Sequence, residues 1–145
     1  MSNVEQPPAH VANPRHVELR VAAVLENLAV LRTVIGALAA FEDLDLDAVS
    51  DLRLAVDEAC TRLIRSASAG ATLVLSVDPR ETDLVITVST TSTDHDVLTP
   101  GSFSWHVLTS LTDDVQTFNT LDDGADVTIP VVGIALTTRR MSPAR

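Results

Sequence analysis

Apolar and polar residues change their period several times along this chain, and each change predicts an element. From His16 to Ala23, Val17, Leu19 and Val21 alternate with Glu18 and Arg20, the two-residue period of a half-buried strand. Between Leu25 and Phe41 the spacing lengthens to three and four, setting Leu28, Leu31, Ile35, Leu38 and Phe41 on one side of a predicted amphipathic helix. The acidic link FEDLDLD leads into the longest pattern, Leu46 to Ala67, where Val49, Leu52, Val56, Ala59, Cys60 and Leu63 form a stripe uninterrupted by Gly or Pro. Asp45 or Asp47 is placed to cap the start of this central helix, while Arg62 and Arg65 fall in its last turns, where the helix dipole favours cations. Ala69-Gly70 marks its end. Residues 71–80 and 82–90 return to the two-residue period, with Asp78-Pro79-Arg80-Glu81 as the turn of a hairpin. A loop over 91–101 precedes a short helix, Ser102 to Leu111, with Phe103, Val107, Leu108 and Leu111 expected inward. Residues 115–121 and 126–138 read as two further strands across an Asp122-Asp123-Gly124 turn.

The resulting order, βααββαββ, has no internal repeat. It predicts an α+β fold: a two-layer α/β sandwich in which a mixed, largely antiparallel sheet carries helices on one face. Pro7, Pro8 and Pro14 among small and polar residues make 1–15 a mobile arm, leaving one domain over 16–139 and a tail over 140–145. A chain of 145 residues is long enough for one real core, since roughly 70% of its unfolded surface is buried at this size.

Charge narrows the partners. Twenty acids against ten bases give −10, which argues against nucleic acid, because phosphate binding needs a basic face, and favours a basic protein partner. Cys60 is the only cysteine, so no intramolecular disulfide forms and a reducing cytoplasm is the simplest location. The N-terminal residues have neither a secretion-signal pattern nor a run long enough to span a bilayer, so neither secretion nor membrane insertion is expected.

Candidate chemistry gathers on the central helix. Asp57, Glu58, Thr61 and Arg62 share its polar face, and Glu58 precedes Arg62 by four residues, the orientation that supports an ion pair on a solvated face. Cys60 sits on the apolar stripe, where it packs as a small hydrophobe. His10, His16, His95 and His106 share no metal-ligand spacing, so no metal site is expected; Asp94-His95-Asp96 is the only possible cation loop, and a plain loop is the default reading. Trp105 and Phe103 are scarce large side chains that either pack in the core or, if exposed, anchor a partner. The run Glu42, Asp43, Asp45, Asp47, Asp51, Asp57 and Glu58, with Arg53 its only base, would attract a basic partner and speed encounter.

The stretch Glu58-Ala59-Cys60-Thr61-Arg62, within AVDEACTRLI, resembles the N-box of the anti-sigma factor serine kinases, Glu-Ala-Cys/Val-Thr-Asn. Those proteins share the ATP-binding fold of histidine kinases and Hsp90 chaperones. The likeness runs from about His16 to Arg139 and is strongest to mycobacterial general-stress anti-sigma factors, through FEDLD, DLRLAVDEACTRLIRSA and PGSFSWHVLTSL. It implies that Glu58 stands at the general-base position and Arg62 where an Asn holds magnesium. It also implies Gly101 as the remnant of the glycine turn that approaches the phosphates of ATP or ADP, and Arg32 near a partner-contacting arginine. Val88-Ser89-Thr90-Thr91-Ser92 stands where the family carries an adenine-binding Asp and glycines, and the loop to Pro100 is shorter than the family's lid. These departures weigh against catalytic use of ATP with magnesium, since phosphoryl transfer depends on positioned groups and metal. The resemblance implies a homodimeric anti-sigma factor that sequesters a stress or sporulation-type sigma factor and is released by an anti-anti-sigma protein. The alternative is an ATP-dependent serine kinase acting on that antagonist.

Overall fold

The computed structural model describes residues 13–94, 96–120 and 130–140. Its elements are β1 (Val17–Ala22), a 3-10 turn (Leu25–Asn27), α1 (Leu28–Phe41), α2 (Leu46–Ser66), β2 (Thr72–Pro79), β3 (Asp83–Thr91), α3 (Phe103–Leu111), β4 (Asp114–Thr120) and β5 (Val131–Arg139). The strands form one sheet in the order β1-β2-β3-β5-β4. Every neighbouring pair is antiparallel, so the expected α+β sandwich is adopted with no parallel pairing among the described strands. The predicted Asp122-Asp123-Gly124 turn lies outside the described residues. No helix of the described residues is long and apolar enough to cross a membrane.

The α2 stripe forms the centre of the core. Leu52, Ala55, Val56, Ala59, Cys60, Leu63 and Ile64 are buried against Leu73, Leu75 and Val77 of β2, Leu84, Ile86 and Val88 of β3, and Ile134 and Leu136 of β5. Each large aliphatic side chain buried there contributes about 1.5–3 kcal/mol. Asp45 begins the helix as expected: its carboxylate accepts from Ala48 N at 2.8 Å, satisfying one of the orphan donors of the first turn. The helix ends at Ser66 rather than at the glycine; Gly70, with φ 72°, belongs to the following tight turn, where Ala71 N donates to Ser68 O.

Three local expectations differ from the structure. The buried stripe of α1 is Leu31, Ile35 and Ala39, and its next inward position is Glu42, so Phe41 points outward and is exposed. In α3 the inward positions are Ser104 and Leu108, which turns Phe103 out to solvent and leaves Trp105 and Leu111 partly buried against the core. In both cases a buried polar side chain with a distant partner wins the inward place from the aromatic beside it. Asp78 and Pro79 are not turn residues: they close β2 opposite Val85 and Leu84, and the chain reverses over residues 80–82, where Arg80 N donates to Asp83 O at 2.8 Å.

Glu42 ends α1 at a junction of three segments. Its carboxylate pairs with Arg15, just before β1, and with Arg140, just after β5, whose Nη2 lies 2.7 Å from Glu42 Oε1. Arg140 also donates to the carbonyls of Glu42 and Arg80, at 2.9 and 2.8 Å. Burial alone would raise the pKa of Glu42, but the hydrogen bonds from Arg140 and Arg15 and the charges they carry outweigh it and hold this carboxyl below the ordinary range. Nothing in the local sequence marks this cluster, because its members stand far apart in the chain.

Candidate functional site

Glu58 and Arg62, one turn apart on α2, face α3 and the loop that precedes it. Glu58 Oε2 accepts from Ser104 Oγ at 2.6 Å. Arg62 turns the other way, donating from Nε and Nη2 to the Val97 carbonyl at 3.4 and 3.3 Å. The Glu58–Arg62 ion pair expected from their spacing does not form: every ion pair of the described residues joins other side chains. Ser104 is buried, and a buried hydroxyl without a partner carries a desolvation cost of about 1–3 kcal/mol, which Glu58 removes by accepting. Val97 is also buried, so its carbonyl needs a donor, and Arg62 supplies one.

The neighbouring loop is equally self-satisfied. Thr90 Oγ1 donates to Thr72 O at 2.9 Å, and Ser92 Oγ donates to Ser66 O at 2.6 Å while accepting from Asp94 N. Val97 and Leu98 point into the core cluster. Pro100-Gly101 forms a tight turn in which Gly101 takes φ 90° and Ser102 N donates to Thr99 O at 3.0 Å, a left-handed position that suits glycine. Ser102 then caps α3, accepting from Trp105 N at 3.2 Å.

These residues do not fit a nucleotide with magnesium. A metal corner needs neutral or anionic oxygen ligands, and Arg62 brings a fixed cation. An adenine amino group is best met by a carboxylate acceptor, whereas the end of β3 offers the neutral hydroxyls of Thr90 and Ser92, each oriented by donating to a backbone carbonyl. The helix start that would meet phosphates keeps one of its free N–H groups for Ser102. Gly101 shapes that turn, and no cradle of successive glycines surrounds it.

Metal and thiol chemistry find no better footing. No group of three metal-ligating side chains occurs among the described residues. In Asp94-His95-Asp96, Asp94 Oδ1 accepts from Asp96 N at 2.9 Å, as in a turn, and His95 lies outside the described residues. Burial, with Asp57 nearby, pushes the Cys60 thiol up to about 12, so it stays protonated and inert. Thr61 donates to Asp57 O at 2.7 Å, a helix-internal bond.

A second region lies on the outer side of the helices. Arg32 of α1 pairs with Asp57 of α2 at 2.8 Å, both partly exposed. Beside them a groove of about 250 Å³ is lined by Arg32, Ser50, Arg53 and Leu54. The Arg53 stem lies across Gly36, with Cδ 3.2 Å from where a Cβ would stand, so the glycine lets the two helices share that side chain. Leu46, Leu54 and Phe41 are exposed, with the exposed acids Asp43, Asp45, Asp47 and Asp51 between them in the chain, and Phe103 at the start of α3 is exposed to 80%. Arg32 is therefore on the surface, whereas Trp105 is half buried and the exposed aromatic of α3 is Phe103.

A five-stranded antiparallel sheet packed against three helices is consistent with the histidine kinase-like ATPase fold. Residues 21–130 match the histidine kinase-like ATPase domain, and the chain belongs to that family. Two relatives are the anti-sigma-F factors RsbW of Mycobacterium tuberculosis strains CDC 1551/Oshkosh and ATCC 25618/H37Rv. Each is 62% identical to this chain over 133 residues, a span covering 90% of this chain and 77% of the relative.

Proposed function

We propose that this chain is an anti-sigma factor acting in the cytoplasm: it binds a sigma factor and keeps it from RNA polymerase. The observation that carries this reading is the 62% identity, over 90% of the chain, to the anti-sigma-F factors RsbW. The surface chemistry supports it. Exposed Leu46, Leu54 and Phe41 are set among Asp43, Asp45, Asp47 and Asp51, the mixture of apolar anchors and acid that suits a basic partner. Arg32 and Arg53, beside Leu54, offer a local cationic contact within that field. The sigma factor is of the stress or sporulation type, an anti-anti-sigma protein releases it, and the chain works as a homodimer; these three parts rest on the family resemblance.

The test is a pull-down of candidate sigma factors with the full chain, followed by transcription from a promoter of the captured factor. Retention of a sigma factor and loss of its transcript are expected, with Leu54→Asp weakening both. A chain that retains no sigma factor and leaves every transcript unchanged overturns the reading. Light scattering of the purified chain reports the homodimer. The kinase alternative draws on one observation, Glu58 at the family's base position. Phosphate transfer from labelled ATP to the antagonist, abolished by Glu58→Ala, would place it first.

A further inference from the structure

The geometry points to a corner closed from within against nucleotide: Ser104 occupies Oε2 of the Glu58 carboxylate, and the Val97–Leu98 segment, tied by Arg62, packs on the same helix. The fold and its partner surface are on this account independent of nucleotide, and partner release cannot be gated by nucleotide exchange at this site.

A general base must sit within about 2.6–3.2 Å of the hydroxyl it serves. Ser104 Oγ is 2.6 Å from Glu58 Oε2, and it belongs to α3 of the same chain, so a foreign hydroxyl cannot take that place unless α3 moves. Ser104 and Glu58 stand 46 positions apart, so this bond is a tie between two helices and not a local turn. The second tie, Arg62 to Val97 O, holds the loop on the same face of α2. Val97 and Leu98 are each 5% exposed and join the core cluster, so removing them to admit a nucleotide would open apolar surface. The hydroxyls of Thr90 and Ser92 and the cap of α3 are likewise committed to the chain's own backbone.

Two measurements on the full chain test the inference. In the first, thermal unfolding is followed with 1 mM ADP or ATP, with magnesium or with chelator, alongside calorimetric titration. A site with a dissociation constant of about 10 µM would raise the midpoint by about 10 °C at that concentration. No rise and no saturable heat are expected, and a rise of several degrees, or saturable magnesium-dependent heat, overturns the inference. In the second, Glu58→Ala, Ser104→Ala and the double variant are unfolded. Each single change is expected to lower the midpoint by about 5 °C, and the second change to add little once the first is made. Full additivity of the two losses would show that the residues do not act as a tie. Sigma-factor inhibition, assayed with and without nucleotide, is a separate readout. Inhibition that is absent under both conditions sinks the anti-sigma reading and leaves the closed corner standing, whereas inhibition that requires nucleotide sinks the closed corner alone.

Discussion

Gly133 lies opposite Phe118 on the neighbouring strand, and a Cβ at 133 would stand 2.1 Å from the Phe118 ring tip. The ring belongs to a partly exposed edge-strand side chain, so it can swing aside at moderate cost. Gly133→Ala is expected to lose about 1–2 kcal/mol in urea unfolding. In a Phe118→Ala background the same change should become neutral or stabilising, because alanine is the better strand residue once the clash is gone. A loss of equal size in both backgrounds would show that the ring is not the cause. Only the strand register reveals this contact. Glu58 is visible from its motif, but its partner is not, because four-residue spacing names Arg62 while the buried hydroxyl that needs an acceptor sits on another helix. Cys60 is legible, since an apolar stripe predicts an inert thiol and burial delivers one.

At the scale of elements, every described helix and strand was legible from its period, while the rotation at helix ends was not. Phe41 and Phe103 were expected inward because apolar residues are buried by default. In each case the neighbour, Glu42 or Ser104, takes that place through a partner that periodicity cannot see. The end of α1 also contains a measurable strain. Leu44 N donates to Ala39 O and Asp43 N to Ala40 O, the paired bonds of a Schellman ending, with Asp43 in the left-handed position at φ 63°. Glycine is the usual residue there, since a Cβ is disfavoured in that region. Asp43→Gly is therefore expected to stabilise the chain by about 0.5–1 kcal/mol, the relief of strain exceeding the extra freedom glycine gives the unfolded chain. Calorimetric unfolding checks it, and a lowered midpoint would mean that the Asp43 side chain contributes more than its backbone costs. The same substitution removes one charge from the acidic surface, so weaker sigma-factor binding in a more stable protein would support that surface as the contact.

For the whole molecule, the two-layer architecture could be read from the element order, but its closure could not. Arg15 and Arg140 fall in segments that read as arm and tail, yet both reach Glu42, joining the entry to β1, the exit from β5 and the α1–α2 turn. The Arg140 and Glu42 side chains are 5% and 6% exposed, whereas Arg15 is 45% exposed, so Arg140→Ala should destabilise the protein more than Arg15→Ala. Glu42→Gln leaves two guanidinium groups facing a neutral amide and is expected to cost about 3 kcal/mol at pH 7. The pH dependence identifies the cause. The folded pKa of Glu42 lies below the ordinary value of 4.5, so its contribution is fully present above that value and is lost as pH falls through the depressed folded one. Other carboxylates titrate in both proteins and cancel in the comparison. The stability gap between the native chain and Glu42→Gln, measured by urea unfolding from pH 7 down to pH 3, should hold constant to about pH 4.5 and then narrow. A gap that stays the same throughout would mean that the carboxylate is held by shape and hydrogen bonding alone, and that the charge of this three-segment junction contributes nothing to closing the fold.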